Sequence, residues 1–260
     1  KAFIPMCAFE RSEKGMEFNM DINSIYANEL IEKLELEPPI DLYELCRICN
    51  IEIVKENLKN AYAYFRIRKG RKVIFLSNSI VNTEKEKFTI AHELGHYFLP
   101  NHLEKVDDMY TRTNYMYKNE RKKIETDVDK FAAELIMPSK FINPELERIS
   151  LKNFKQLEEL AQKYQVSLTS LLCKYVDLNS ETMALLCYEN NKQKWQYKVF
   201  DDFRFDIYEG EILNDEPEKY TKDTLNNWLD ENFQGTVYQV IFDLKKYNMK
   251  LVLIQVKYYH

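Results

Sequence analysis

The chain has 260 residues, of which 45% are hydrophobic and 30% are charged, and its formal net charge is −5. These proportions are ordinary for a soluble globular protein that is long enough to bury a core. The acidic balance argues against a protein that coats nucleic acid, and no apolar run approaches the ~20 residues needed to span a bilayer. Five cysteines without framework spacing favour reduced thiols, so we expect a cytoplasmic protein that does not associate with membranes.

The first part of the chain is expected to combine an extension with short elements. Residues 1–19 show no clear periodicity, and we expect them to be an N-terminal extension without ordered structure. From Asp21 onward, apolar residues recur at helical spacing until Pro38 and Pro39 stop the pattern. A short helix, a strand and the two strands of a β-hairpin are predicted to follow, over 41–49, 51–55, 61–68 and 72–76.

The next predicted helix contains the motif on which the functional interpretation depends. The helix begins at the cap signature of Asn82, Thr83 and Glu86, continues through Phe98 and ends at Pro100. Apolar residues at helical spacing on both sides of its centre indicate that one face is buried.

The centre of this helix contains His92-Glu93-x-x-His96, in which two imidazoles lie four residues apart and a carboxylate follows the first. A spacing of four stacks both rings on one face, about one turn apart, so both can reach one small cation. Glu93 then lies beside the cation but off the ligand axis, where it can take a proton from a water molecule. The motif therefore predicts metal-assisted hydrolysis with Glu93 as the base.

A second strong helix, predicted over 120–137, offers a third ligand. Catalytic zinc takes three protein ligands and keeps one position open. Glu125 and Asp129 are four residues apart and share a face, and the small Ala132 and Ala133 allow close approach to the first helix. We therefore expect Glu125 to bind zinc and Asp129 to accept the free ring N–H of a liganding histidine. The other carboxylates are expected to form an exposed acidic face: Glu120, Asp127 and Glu134.

The remainder of the chain is predicted to be helical up to about residue 180 and to form a sheet after it. Three further helices are predicted, over 139–149, 153–164 and 167–176. The last two have the spacing of a helix-turn-helix, but their charge is nearly balanced and the second helix begins with few base-reading side chains. After residue 180, alternating apolar and polar residues predict a C-terminal α+β module with a mainly antiparallel sheet. Its elements are predicted as strands over 183–189, 194–200, 204–208, 236–244 and 250–259 and a helix near 221–231.

The two site motifs together resemble a known family. His92-Glu-Leu-Gly-His96, followed by Glu125-x5-Phe-Ala-Ala-x-Leu-Ile-Met-Pro138, is similar to the ImmA/IrrE family of zinc metallopeptidases. The stretch Glu84-Lys-Glu-Lys-Phe-Thr-Ile-Ala before the first motif also resembles this family. The resemblance covers roughly residues 20–178, and nothing in 180–260 contributes to it.

The resemblance implies both a fold and an activity. It implies a mostly helical, zincin-like metallopeptidase domain with a small β-hairpin or sheet over 20–178, and hence an α+β protein when the C-terminal module is included. It implies a gluzincin-like site in which His92, His96 and Glu125 hold Zn²⁺ and Glu93 is the base. It also implies a cytoplasmic endopeptidase that cleaves a helix-turn-helix transcriptional repressor, in stress response or control of mobile elements. Asp129 stands where the family commonly has Asn.

Two parts of the mechanism stay open at this point. Peptidases of this kind commonly bind substrate as an added strand, and the strand predicted over 72–76, just before the HExxH helix, is the natural candidate edge. The oxyanion needs a further donor, and the sequence does not choose among four candidates: His102, Arg112, Tyr115 and Tyr117.

Two other classes of function also remain open. The first is a non-catalytic, antitoxin-like or sensory protein-binding module in which zinc is structural. Against it, two histidines and one glutamate leave an open position, whereas structural zinc usually takes four ligands rich in Cys. The second is a DNA-binding regulator that uses 153–176, although direct nucleic-acid binding is not expected from the net charge.

Overall fold

The computed structural model of the protein describes residues 21–59, 61–100, 102, 116–179, 182–190, 192–198, 219–220 and 235–258. Within these residues it is an α+β protein that divides into two compact units. One unit comprises the described residues up to Phe141 together with Gln162–Val166, and the other comprises Ile142–Ala161 and the described residues from Ser167 onward. The expected extension over 1–19 lies outside the described residues, and the expected domain boundary near 178–180 stays a prediction.

The first unit combines four principal helices with a three-stranded sheet. Each of its first three helices begins after a residue whose side chain accepts a hydrogen bond from a backbone N–H of the first turn: Asp21, Asp41 and Asn82. The elements are α1 (Ile22–Lys33), α2 (Leu42–Ile48), β1 (Ile51–Glu56), β2 (Ala63–Arg68), β3 (Arg71–Ser77), α3 (Thr83–Phe98) and α4 (Met116–Ile136).

The start of α3 differs in one respect from the cap signature. Asn82 is the N-cap, and its Oδ1 accepts from Lys85 N at 2.7 Å. Glu86 does not contribute to the cap, because its carboxylate accepts hydrogen bonds from Lys55 Nζ at 2.7 Å and from the Tyr43 hydroxyl. Glu86 therefore ties α3 to β1 and α2 instead of closing the first turn.

The sheet of the first unit has the order β1-β3-β2, with β3 parallel to β1 and antiparallel to β2. The expectation that 72–76 forms an edge is therefore wrong, because β3 is paired on both sides. The burial agrees with this central position. Ile74 and Leu76 are fully buried, as expected for an apolar strand that has a neighbour on each side. Among the strands of the described residues, β1 and β2 are the two edges of this sheet, and their outer edges are free.

Helices α3 and α4 make the closest helix contact of the site, and Gly95 is where they meet. A Cβ atom at Gly95 would lie 2.8 Å from Val128 Cγ1 and 3.3 Å from the Val128 carbonyl oxygen. The close approach that we expected from Ala132 and Ala133 thus depends on a glycine of α3, inside the HExxH motif. A side chain at position 95 therefore requires the Val128 side chain or α4 itself to move.

Glu134 corrects another expectation. It is 1% exposed rather than part of an exposed acidic face. Its carboxylate accepts from Ser139 N at 2.9 Å and from Ser139 Oγ at 2.7 Å, and so satisfies groups at the start of α5 (Ser139–Leu146). Burial of a carboxylate is tolerated there because both oxygens receive hydrogen bonds.

Among its described residues, the second unit combines the C-terminal part of α5 and two further helices with a five-stranded antiparallel sheet of order β5-β4-β8-β7-β6. The prediction of an antiparallel C-terminal sheet is confirmed for the described residues. The strand expected over 204–208 and the helix expected near 221–231 lie outside them. The elements are α6 (Phe154–Tyr164), α7 (Leu168–Leu178), β4 (Thr182–Glu189), β5 (Lys192–Lys198), β6 (Lys219–Tyr220), β7 (Gly235–Leu244) and β8 (Met249–Tyr258). No helix among the described residues is long and apolar enough to cross a membrane.

The contact at Gly95 makes a direct prediction. Gly95→Ala should lower the free energy of unfolding by about 1–3 kcal/mol, because overpacking outweighs the gain in helix propensity. In the Val128→Ala background the atom that clashes most closely is gone, so the same substitution should cost much less. Urea unfolding of the four proteins measures both effects. Equal costs of Gly95→Ala in both backgrounds would contradict this packing.

Candidate metal centre

The HExxH motif and the acidic helix meet as the sequence predicts. In α3, the ring centroids of His92 and His96 lie 5.0 Å apart. From α4, Glu125 Oε2 lies 3.2 Å from His92 Nε2 and 3.9 Å from His96 Nε2. One ligand atom from each of these three residues lies within 4.8 Å of the others.

Asp129 lies on the opposite side of the His92 ring from Glu125. Its Oδ1 is 2.9 Å from His92 Nδ1, so it can accept the ring N–H. That hydrogen bond would leave Nε2 as the lone-pair nitrogen and direct it towards Glu125, which is the arrangement that a liganding histidine needs. Asp129 is the more exposed of the two carboxylates.

The two carboxylates dominate the electrostatics of the site. Burial alone would lower the pKa of His92, but hydrogen bonds to Asp129 and Glu125 outweigh it and raise the pKa to about 10. The hydrogen bond to His92 is also the largest cause that lowers the pKa of Glu125. The pKa of His96 is lowered by burial and by the charge of His92. The negative charge of the two carboxylates therefore favours a bound cation, which can be a proton or a metal ion.

Glu93 does not belong to the group of three possible ligands, although it directly follows His92 in the chain. Its side chain is 7% exposed, and burial raises its pKa to about 7, against the opposing effects of His92 and of a hydrogen bond from the Phe65 backbone. A carboxyl group that titrates near neutral pH can both accept and return a proton. The bond from Phe65 means that β2, as well as α3, positions this carboxylate, and nothing in the sequence around Phe65 indicated this role.

The donor set fits a divalent cation. Two zinc ligands at about 2.1 Å in tetrahedral geometry lie about 3.4 Å apart, close to the two histidine–Glu125 separations. The 3.9 Å separation between His96 Nε2 and Glu125 is too long for a hydrogen bond, and the buried Nδ1 of His96 has no hydrogen-bond partner among the described residues. No hydrogen bond within the described part of the chain accounts for the orientation of the His96 ring towards Glu125.

The candidate oxyanion donors are only partly described. His102 is buried, and its ring centroid lies 6.1 Å from that of His96. Arg112 and Tyr115 lie outside the described residues, as does the side chain of Tyr117. The structure therefore shows that His102 lies near His96, but it does not identify the oxyanion donor.

Two imidazoles and a carboxylate on neighbouring helices, with a buried glutamate directly after the first histidine, define an HExxH-type metal centre. Residues 46–174 match the family profile described as the IrrE N-terminal-like domain. Residues 46–174 therefore form a domain of the ImmA/IrrE family of metallopeptidases.

Two curated relatives are similar to part of the chain. The chain is 36% identical over 101 residues to the radiation response metalloprotease IrrE of Deinococcus radiodurans, which is 38% of this chain and 29% of the relative. It is 34% identical over 106 residues to the metallopeptidase ImmA of Bacillus subtilis, which is 41% of this chain and 59% of the relative. The match therefore spans less than two thirds of either relative.

The overall fold is similar to that of a solved Mycobacterium tuberculosis transcriptional regulator. The TM-score is 0.56 at 12% identity, and the likeness covers 90% of this chain and 75% of that one. At this identity the likeness concerns the fold alone.

The geometry predicts a ranking of metal affinities. Asp129→Ala should weaken binding of a divalent cation about 10–100-fold, because the orientation of His92 is lost, and Glu125→Ala should weaken it more. Competition with a chromogenic chelator, using Zn²⁺ and Co²⁺, measures both dissociation constants. Asp127→Asn is the matched control, since it removes a charge from the same helix at a side chain that contacts Asn23 instead. Unchanged affinity in Glu125→Ala would exclude it as a ligand.

Proposed function

We propose that this protein is a zinc-dependent endopeptidase that acts in the cytoplasm and cleaves a helix-turn-helix transcriptional repressor. The observation that carries the proposal is the convergence of His92, His96 and Glu125 beside a buried Glu93. The names of the two curated relatives, a metalloprotease and a metallopeptidase, support the reaction class. The repressor as substrate rests on the family resemblance. The described cysteines are free thiols, in keeping with a reducing compartment.

In this proposal, His92, His96 and Glu125 hold the zinc ion in a zincin-like arrangement of α3 and α4, and Asp129 orients His92. When bound, zinc supplies Lewis-acid activation of a water molecule and of the scissile carbonyl. Glu93 accepts a proton from the attacking water and then donates it to the leaving amine, a role that suits a pKa of about 7.

We further propose that substrate binds along β2. Ser77 N donates to Tyr62 O, so every second residue after Tyr62 also forms its backbone hydrogen bonds with β3. Ala63, Phe65 and Ile67 then direct their N–H and C=O groups to the free edge, in agreement with the bond from Phe65 to Glu93. A peptide that adds to this edge would lie next to the base.

Two observations weigh against the other classes of function. A purely structural zinc site does not require a carboxylate buried next to its ligands, whereas Glu93 directly follows His92 and is 7% exposed. A DNA-reading α7 would need exposed basic and polar residues, but Lys174 is buried and the Ser167 and Ser170 hydroxyls bond to each other. The peptidase is therefore the function that the site supports best.

The test compares the unaltered protein with Glu93→Gln, using the repressor encoded beside this gene and a panel of unrelated proteins. The unaltered protein should cleave the repressor at limited positions, and Glu93→Gln should reduce the rate about 10²–10⁴-fold while retaining zinc. Mass spectrometry locates the cut, and metal analysis reports the zinc. Glu84→Gln, in the first turn of the same helix, should leave the rate unchanged.

If the unaltered protein retains zinc but cuts neither the repressor nor any other protein, the non-catalytic binding module replaces the peptidase. Equal rates for the unaltered protein and Glu93→Gln would leave zinc-dependent cleavage standing but exclude Glu93 as the base.

A further inference from the structure

Four exposed cations lie at the turn end of the β2–β3 hairpin: Arg66 and Arg68 on β2, Lys69 in the turn and Arg71 on β3. We term these four residues the basic hairpin. They stand out in a chain whose net charge is −5. Arg71 pairs with Glu52 at 2.5 Å, and the Arg66 guanidinium lies over the Tyr64 ring at 5.4 Å. Within the part of the chain that the structure describes, Arg66, Arg68 and Lys69 have no ion-pair partner. Exposed charges without partners are available to a ligand.

The position of these cations relative to the site follows from the alternation of β2. The Phe65 ring lies 5.3 Å from the Tyr97 ring of α3, so this side chain projects from the face of the sheet that packs on α3. Tyr64 stacks on Phe75 at 4.8 Å, on the other face. Because side chains alternate along a strand, Arg66 and Arg68 project from the same face as Tyr64. Both arginines therefore lie on the edge strand β2, one and three residues after Phe65, whose backbone bonds to Glu93.

Any strand that adds to β2 would bring its side chains next to these arginines. Cross-strand neighbours have Cβ atoms about 4.5–5.5 Å apart, so every second residue of the added strand would lie beside Arg66 or Arg68. Arginine pairs with carboxylates through bidentate hydrogen bonds, so acidic residues are favoured at those positions. The intervening residues would lie on the face of Ile67, a large apolar side chain that is 48% exposed.

We infer that the basic hairpin selects the substrate. It favours a segment in which acidic residues alternate with apolar ones, on one side of the bond that is cut. The inference rests on the proposed function, because it assigns the edge of β2 to the peptide that is cleaved. Duplex DNA is the other polyanion that four cations attract. The peptide is favoured because the arginines continue the strand edge that leads to Glu93.

The experiment incubates a mixture of random-sequence peptides with the unaltered protein and with Arg66→Glu/Arg68→Glu, and identifies the cuts by mass spectrometry. The unaltered protein should enrich Asp and Glu at alternate positions on one side of the cut, and the double variant should lose this enrichment. For one acidic peptide from that set, kcat/KM should fall about tenfold in the double variant. Its counterpart with Gln in place of Asp and Glu should be cut at rates that differ less than twofold between the two proteins.

Two matched variants separate the hairpin from general charge effects. Lys152→Glu/Lys155→Glu makes the same change in net charge in the other unit and should leave the preference intact. Arg66→Lys/Arg68→Lys keeps the charge but loses the bidentate geometry, and should retain part of the preference. Loss of the preference in the lysine-to-glutamate control would overturn the inference.

Binding to Glu93→Gln, measured by fluorescence anisotropy of the same two peptides, gives a readout without cleavage. The acidic peptide should bind more tightly than its Gln counterpart, and the addition of Arg66→Glu/Arg68→Glu should abolish the difference. Equal binding, or displacement of the acidic peptide by random duplex DNA at lower concentration than by unlabelled peptide, would overturn the inference.

The two proposals fail in different ways. If peptides are cut without acidic preference, the peptidase stands and the basic hairpin has no role in selection. If no peptide is cut, the peptidase fails, and the anisotropy measurement alone decides whether the hairpin binds acidic segments.

Discussion

The site depends on how closely α3 and α4 can approach each other. Their contact at Gly95 leaves no space for a Cβ atom, and this brings Glu125 within reach of both histidine rings. Each helix alone carries an incomplete set of ligands, two imidazoles on one and a carboxylate on the other. The glycine within the HExxH motif is therefore as much a part of the metal centre as the residues that would contact the ion.

The two acidic side chains and Glu93, the proposed base, are held by different parts of the first unit. Glu125 and Asp129 project from α4 on either side of the His92 ring, which fixes the ring and concentrates negative charge around it. Glu93 is buried and receives a hydrogen bond from the backbone of β2. Because the same strand edge carries Arg66 and Arg68, one strand can position the base and contact a substrate.

Local patterns predicted which side chains of the site lie together, because a spacing of four on a helix determines which side chains share a face. His92, His96, Glu125 and Asp129 lie together as expected. Errors arose where the answer depended on a partner that the local pattern does not show. The strand over 72–76 was expected at an edge, because the sequence pattern shows its hairpin with β2 but not its parallel pairing with β1. Glu134 was expected on the surface because a buried carboxylate is visible only once its donor, Ser139, is known.

The central claim is that two histidines and one glutamate hold zinc with a position left open. X-ray absorption at the zinc edge of the purified protein tests it directly. We expect two imidazole nitrogens and oxygen ligands at about 2.0–2.1 Å, with no sulfur, since no cysteine belongs to the described cluster. A shell that contains sulfur at about 2.3 Å, or four protein ligands without water, would contradict the account.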